Sequence, residues 1–79
     1  MSGISRPKPC YLDDFEVWKT VHGRKIWRSP SKDRLYTWDS LHGEIEVFNA
    51  RGVHLGALHA ETGTLIKPAD KEKRKLNVK

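Results

Sequence analysis

Turn signals recur so closely along the middle of this chain that only short strands fit between them. Ser29-Pro30-Ser31-Lys32-Asp33, Ser40-Leu41-His42-Gly43, Ala50-Arg51-Gly52 and Glu61-Thr62-Gly63 each carry Gly, Pro, Ser or Asp where a backbone can reverse. The stretch between the first two, Arg34-Leu35-Tyr36-Thr37-Trp38-Asp39, is rich in residues that suit a pleated surface. The next stretch, Glu44-Ile45-Glu46-Val47-Phe48-Asn49, opens with the two-residue alternation of a strand. Residues 25–28, 53–59 and 64–67 complete a set of four to five short strands. Connections this tight pair consecutive strands antiparallel.

Upstream the pattern changes. Tyr11, Phe15 and Trp18 recur at helical spacing, and Asp13 and Asp14 suit a first helical turn. A short helix over 11–20 is therefore expected, its aromatic stripe facing the core. Pro7 and Pro9 make residues 1–10 an irregular lead. The expected fold is α+β and mainly β. A twisted antiparallel sheet over about 25–67 carries the N-terminal helix on one face and leaves the other open to solvent. A basic tail follows over 67–79.

At 79 residues the chain has room for one domain and none for a dinucleotide-binding fold. A shallow surface site acting on a large partner suits it better. The formal net charge is +5, and from Lys67 onward six Lys and Arg face two acids. A balance of that kind makes nucleic acid the first candidate partner. Cys10 is the only cysteine, which rules out an intramolecular disulfide and suits a reducing compartment. No apolar run approaches the ~20 residues of a membrane-spanning helix. The first residues lack the apolar core of a secretory signal, so any export is expected to depend on a larger parent protein or a separate machine, or else the chain acts where it is made.

The chemistry concentrates between Asp39 and Glu46. Residues two apart in a strand share a face, so Glu44 and Glu46 fall on one side, with Ile45 and Val47 on the core side. The two carboxylates are expected on the open face, beside a turn bearing His42 and next to Asp39. RNA cleavage by its own 2′-hydroxyl needs a base for the 2′ proton, an acid for the leaving 5′ oxygen and a cation for the phosphorane. Glu, His and Arg supply these. A metal site built from Asp39, His42, Glu44 and Glu46 fits less well, because the spacing matches no standard zinc pattern. Solvated acids on a strand face are the plainer alternative. His22, His54 and His59 are scattered and read as structural, with His54 the nearest to a substrate-touching role.

The run from Arg34 to Glu46 resembles the cytotoxic domain of the ribosome-inactivating colicins, which carry a Trp-Asp-Ser-x-His-Gly-Glu-x-Glu core. The similarity continues through His54-Leu55-Gly56, Thr62-Gly63 and the basic C-terminus, over about residues 24 to 75, and leaves out the first twenty residues. It implies a five-stranded twisted antiparallel sheet with a short N-terminal helix, and a metal-independent endoribonuclease with no cofactor. The implied substrate is small-subunit (16S) ribosomal RNA at the decoding centre of the 30S subunit. Carried onto this chain, the active residues are Asp39, His42 and Glu46, with Arg74 in the C-terminal phosphate role. Lys73 is the other candidate for that role. Glu46 is then the base, His42 the acid, and Asp39 the group that orients His42.

Substrate contacts are expected from Glu44, Tyr36, Trp38, His54, Lys71, Lys73 and Lys75. The resemblance also implies a monomeric toxin acting in the cytoplasm of a target bacterium. An acidic immunity protein or antitoxin would block it. The parent could be a colicin, a contact-dependent inhibition protein or a toxin–antitoxin pair. Cleavage of tRNA or messenger RNA, and RNA binding without cleavage, remain as alternatives.

Overall fold

A computed structural model describes residues 3–70 and Leu76. Among these residues, six strands form one sheet in the order of the chain: β1 (Glu16–Val21), β2 (Arg24–Arg28), β3 (Arg34–Asp39), β4 (Glu44–Asn49), β5 (His54–His59) and β6 (Leu65–Pro68). Every neighbouring pair is antiparallel. The meander follows from the turn chemistry, since no connection between these strands is long enough to carry a crossover.

The N-terminal helix needs correction. Helical geometry among the described residues is confined to one 3-10 turn, Tyr11–Asp14, tied at its start by the Asp13 carboxylate accepting from the Cys10 amide at 2.9 Å. The segment expected to continue it is β1. Val17, Trp18, Thr20 and Val21 all favour a strand. The residues that follow, His22 and Gly23, have φ of 52° and 77°. Two consecutive left-handed residues make the tight hairpin turn whose twist matches the strands it joins, pairing Val21 with Arg24. The aromatic stripe is not a stripe either. Phe15 stacks on Tyr36 with centroids 4.7 Å apart, and Tyr11 meets both rings edge-on. Trp18 packs on the opposite face, beside a bulge between Val17 and Lys19.

The sheet carries an apolar cluster on each face. The larger contains Cys10, Leu12, Trp27, Tyr36, Ile45, Val47 and Leu58. Leu12 and Ile45 are fully buried there, so the 3-10 turn supplies the covering layer that the sheet alone lacks. The smaller cluster is Ile26, Leu35 and Phe48, with Trp18, Val21 and Leu76 against it. The expectation of an open second face is therefore also corrected. Asp70 and Leu76, both beyond β6, lie against that face. Leu76 donates its amide to Gly52 O at 2.9 Å, and the Asp70 amide donates to His54 Nδ1 at 2.8 Å.

The lead is irregular, as expected, but it is tied down. Ile4 N donates to Ser40 O at 2.7 Å, and Trp38 Nε1 donates to Ile4 O at 2.8 Å. These bonds fasten residues 3–6 to the loop between β3 and β4.

Candidate active site

The register builds the site. Asp39 pairs with Glu44 and Thr37 with Glu46. Directly opposed residues of antiparallel strands point to the same side, so Asp39, Glu44 and Glu46 share one face. Tyr36, Trp38, Ile45 and Val47 share the other. The alternation read from β4 is correct, but its consequence differs from expectation. Glu44 and Glu46 are only 9% and 6% exposed. Both acids are covered by what packs around them, and each has acquired a partner.

Asp39 and His42 form the exposed end of the site. Asp39 Oδ1 accepts from the amides of Leu41 (3.0 Å) and His42 (3.2 Å). This side-chain-closed turn is why an Asp opens the loop. Gly43 completes it at φ 68°, with its amide donating to Asp39 O. Asp39 Oδ2 lies 2.8 Å from His42 Nδ1. Burial disfavours ionisation of Asp39 and is the largest single influence on it. The hydrogen bonds from the His42 ring and amide, the His42 charge and the Leu41 amide together outweigh it, and hold the carboxyl below its usual range. An ionised carboxylate only accepts, so His42 carries a proton on Nδ1 and offers Nε2 to a substrate.

Glu46 forms the interior end. Its Oε1 lies 2.5 Å from His54 Nε2, and His54 is 2% exposed. The Asp70 amide donates to the other ring nitrogen, Nδ1. An amide has no lone pair to offer, so Nδ1 is the bare nitrogen and the ring proton sits on Nε2, aimed at Glu46. His54 is thus a neutral donor that fixes the carboxylate. Glu44 accepts from Lys67 Nζ at 2.8 Å, across the sheet from β6.

A cavity of about 220 Å³ joins the two ends, lined by Arg24, Thr37, Asp39 and Glu46 together with residues 38, 40 and 41. Glu46 is therefore buried without being sealed. Asp39, His42 and Glu44 offer ligand atoms all within 4.8 Å of one another. A divalent cation placed there would compete with Lys67 for Glu44 and with His42 for Asp39.

Of the residues singled out in the sequence, Asp39, His42, Glu44, Glu46 and His54 come together. His54 is corrected from a substrate contact to a buried partner of Glu46, since both its ring nitrogens are engaged within the protein. Tyr36 is corrected: it is buried on the opposite face beneath Phe15, and burial pushes its phenol up. Trp38 also lies on that face, half-buried, with its indole nitrogen committed to Ile4. Arg74, Lys71, Lys73 and Lys75 lie outside the described residues. Lys67 and Arg24 were missed as site residues. Neither carries a local signal, because each reaches the site only through strand register.

The chain matches the family model described as Cytotoxic over residues 12–77. It belongs to the Cytotoxic family, the ribonuclease domain of colicin E3 type. The match takes in part of the first twenty residues, which the resemblance had left out. Among curated proteins, cloacin of Escherichia coli is 44% identical over 48 residues, 60% of this chain and 9% of cloacin. Colicin E3 and colicin E6 of Escherichia coli are 42% and 40% identical over the same length and shares. The chain thus spans about 9% of the length of these relatives.

Proposed function

We propose that this Cytotoxic domain is an antibacterial endoribonuclease that cuts small-subunit (16S) ribosomal RNA at the decoding centre and stops translation. The observation that carries the reading is one cavity lined by both Asp39 and Glu46 on one face of β3 and β4, with His42 hydrogen-bonded to Asp39 and His54 fixing the Glu46 carboxylate. Family membership supports the ribonuclease class.

The step needs only the chain's own groups. Glu46 takes the 2′-hydroxyl proton and the 2′ oxygen bonds to phosphorus. The phosphorus–O5′ bond breaks, and His42 Nε2 gives its proton to the departing 5′ oxygen. The products are a 2′,3′-cyclic phosphate and a free 5′-hydroxyl. Asp39 holds the imidazole in the correct tautomer and stabilises its cationic form. Arg74, or Lys73 in its place, is the proposed clamp on the phosphorane. The requirement for a 2′-hydroxyl selects RNA over DNA. The domain works in the cytoplasm of a target cell, delivered within a larger protein, and is held off by an acidic immunity protein, which a +5 chain favours.

Primer extension across small-subunit RNA from ribosomes treated with the purified domain tests this. One cut in the decoding region, absent from RNA blocked at that 2′-hydroxyl, is expected. Cuts confined to tRNA or messenger RNA would move the specificity. Binding without any cut would leave an RNA-binding module and end the enzymatic reading.

A further inference from the structure

A second, larger depression opens beside the cavity that holds Asp39 and Glu46. It has a volume of about 500 Å³ and is lined by Arg6, the β1–β2 turn with Arg24 and Lys25, and Trp27, Trp38 and Ser40. The two depressions share Arg24, Trp38 and Ser40. The two depressions therefore adjoin where β2 and β3 meet the β3–β4 loop. Among the described residues, no acidic side chain lines the larger groove. Arg6, Arg24 and Lys25 are all exposed there, and none of them is in an ion pair among the described residues. Among the described residues, charge is thus concentrated there without a paired acid.

The groove also has flat surfaces. The Arg6 guanidinium lies over the Trp27 ring, 5.0 Å from its centroid. Trp27 is buried and Arg6 exposed, so the surface offered to a base is the guanidinium, and RNA bases stack on guanidinium planes as well as on aromatic rings. Cations with stacking surfaces in one channel are the combination that holds single-stranded nucleic acid. An acidic protein would use the cations but has no need of the planes.

We propose that this groove binds the RNA strand flanking the scissile linkage, with Arg24 and Lys25 on phosphates and a base on the Arg6–Trp27 stack. The proposal rests on the ribonuclease reading and extends it to residues of the lead and the start of β2. It makes the N-terminal lead part of the substrate platform. The hydrogen bonds between Ile4, Trp38 and Ser40 keep that lead in register with the catalytic loop.

The test is the double variant Arg6→Gln/Lys25→Gln; Arg24 is left intact because it also lines the catalytic cavity. Binding is measured with a short 2′-O-methyl oligoribonucleotide, which cannot be cut, over a range of salt. A roughly tenfold loss of affinity is expected. The slope of log affinity against log salt should fall by about 0.7 for each phosphate of a single strand that the variant no longer neutralises. Cleavage of a dinucleotide, too short to reach the groove, should stay at the wild-type rate. Lys25→Gln alone should give a smaller loss in the same direction.

Unchanged affinity and slope in a variant whose parent cuts RNA would overturn the groove and leave the nuclease intact. Groove-dependent binding by a parent that cuts no RNA would keep the groove and end the nuclease reading. Normal RNA binding with weakened affinity for an acidic protein would reassign the surface to a protein partner and overturn the proposal.

Discussion

His54 donates its only ring proton to Glu46 across the β4–β5 pair, at 2.5 Å, while the Asp70 amide occupies its other nitrogen. A buried carboxylate needs such a donor, because an unsatisfied one costs more than the bond itself is worth. The proposed base is therefore aimed by a residue on the next strand and by the Asp70 amide behind it. Replacing His54 with Ala should lower unfolding free energy by about 1–3 kcal/mol, the cost of a stranded buried acceptor. It should also slow cleavage without abolishing it. His54→Gln, which can still donate, should recover part of both. Denaturant titration and single-turnover cleavage measure the two effects.

Glu46→Gln and His42→Ala should each lower cleavage by about two to four orders of magnitude, the usual share of one general base or acid. Glu46→Gln keeps an oxygen for His54 and should stay folded. His42 is exposed, so losing it with its bond to Asp39 should cost no more than about 1 kcal/mol. Circular dichroism beside the rate measurement separates chemistry from unfolding. A His42→Ala protein that cuts normally would remove the imidazole from the mechanism.

Asp39 links the site to pH. Its carboxyl is held below the ordinary value of 3.8 in the folded chain. A depressed folded pKa contributes stability that is fully present above the unfolded value. That contribution is lost as pH falls through the lowered folded value. The wild type should therefore lose stability over that acid window. Asp39→Asn should be less stable at neutral pH and should show a flatter decline below 3.8. Unfolding midpoints at a series of pH values give the comparison; parallel curves would show that the hydrogen bonds on Asp39 contribute nothing.

Gly56 sits at φ 148° where β6 pairs with β5, and a Cβ there would lie 2.6 Å from Lys67 O and 2.5 Å from a Leu65 methyl. The Lys67 oxygen is backbone and cannot swing away. Gly56→Ala should cost more than ~1 kcal/mol, since both conformation and space are wrong for a side chain. It should also pull Lys67 away from Glu44. Amide exchange should quicken first in β6.

Chelation separates the two uses of the acidic cluster. Under the acid–base reading, excess EDTA leaves cleavage unchanged, because Asp39 and Glu44 are engaged by His42 and Lys67. Loss of activity in EDTA, restored by one divalent ion, would put a cation on Asp39, His42 and Glu44.

The local order of β3, its loop and β4 was written in the chain. Strand residues, an Asp to open the loop and a Gly to close it all lie within sixteen consecutive positions of the sequence. The parity that sets Glu44 and Glu46 against Ile45 and Val47 needs nothing more than the two-residue repeat of a strand. Tertiary structure decided which of those acids would meet water and which a partner. His54, Lys67 and Asp70 reach them through the registers of β5 and β6 and through the position of Asp70 beyond β6, and bulges at Val47/Phe48 and Ala57/Leu58 shift those registers. Likewise, Tyr11, Phe15 and Trp18 fit a helix by spacing alone. The left-handed His22-Gly23 turn, once closed against β2, made the second half of that segment a strand. Spacing is a local property, whereas pairing is rewarded only when the partner arrives.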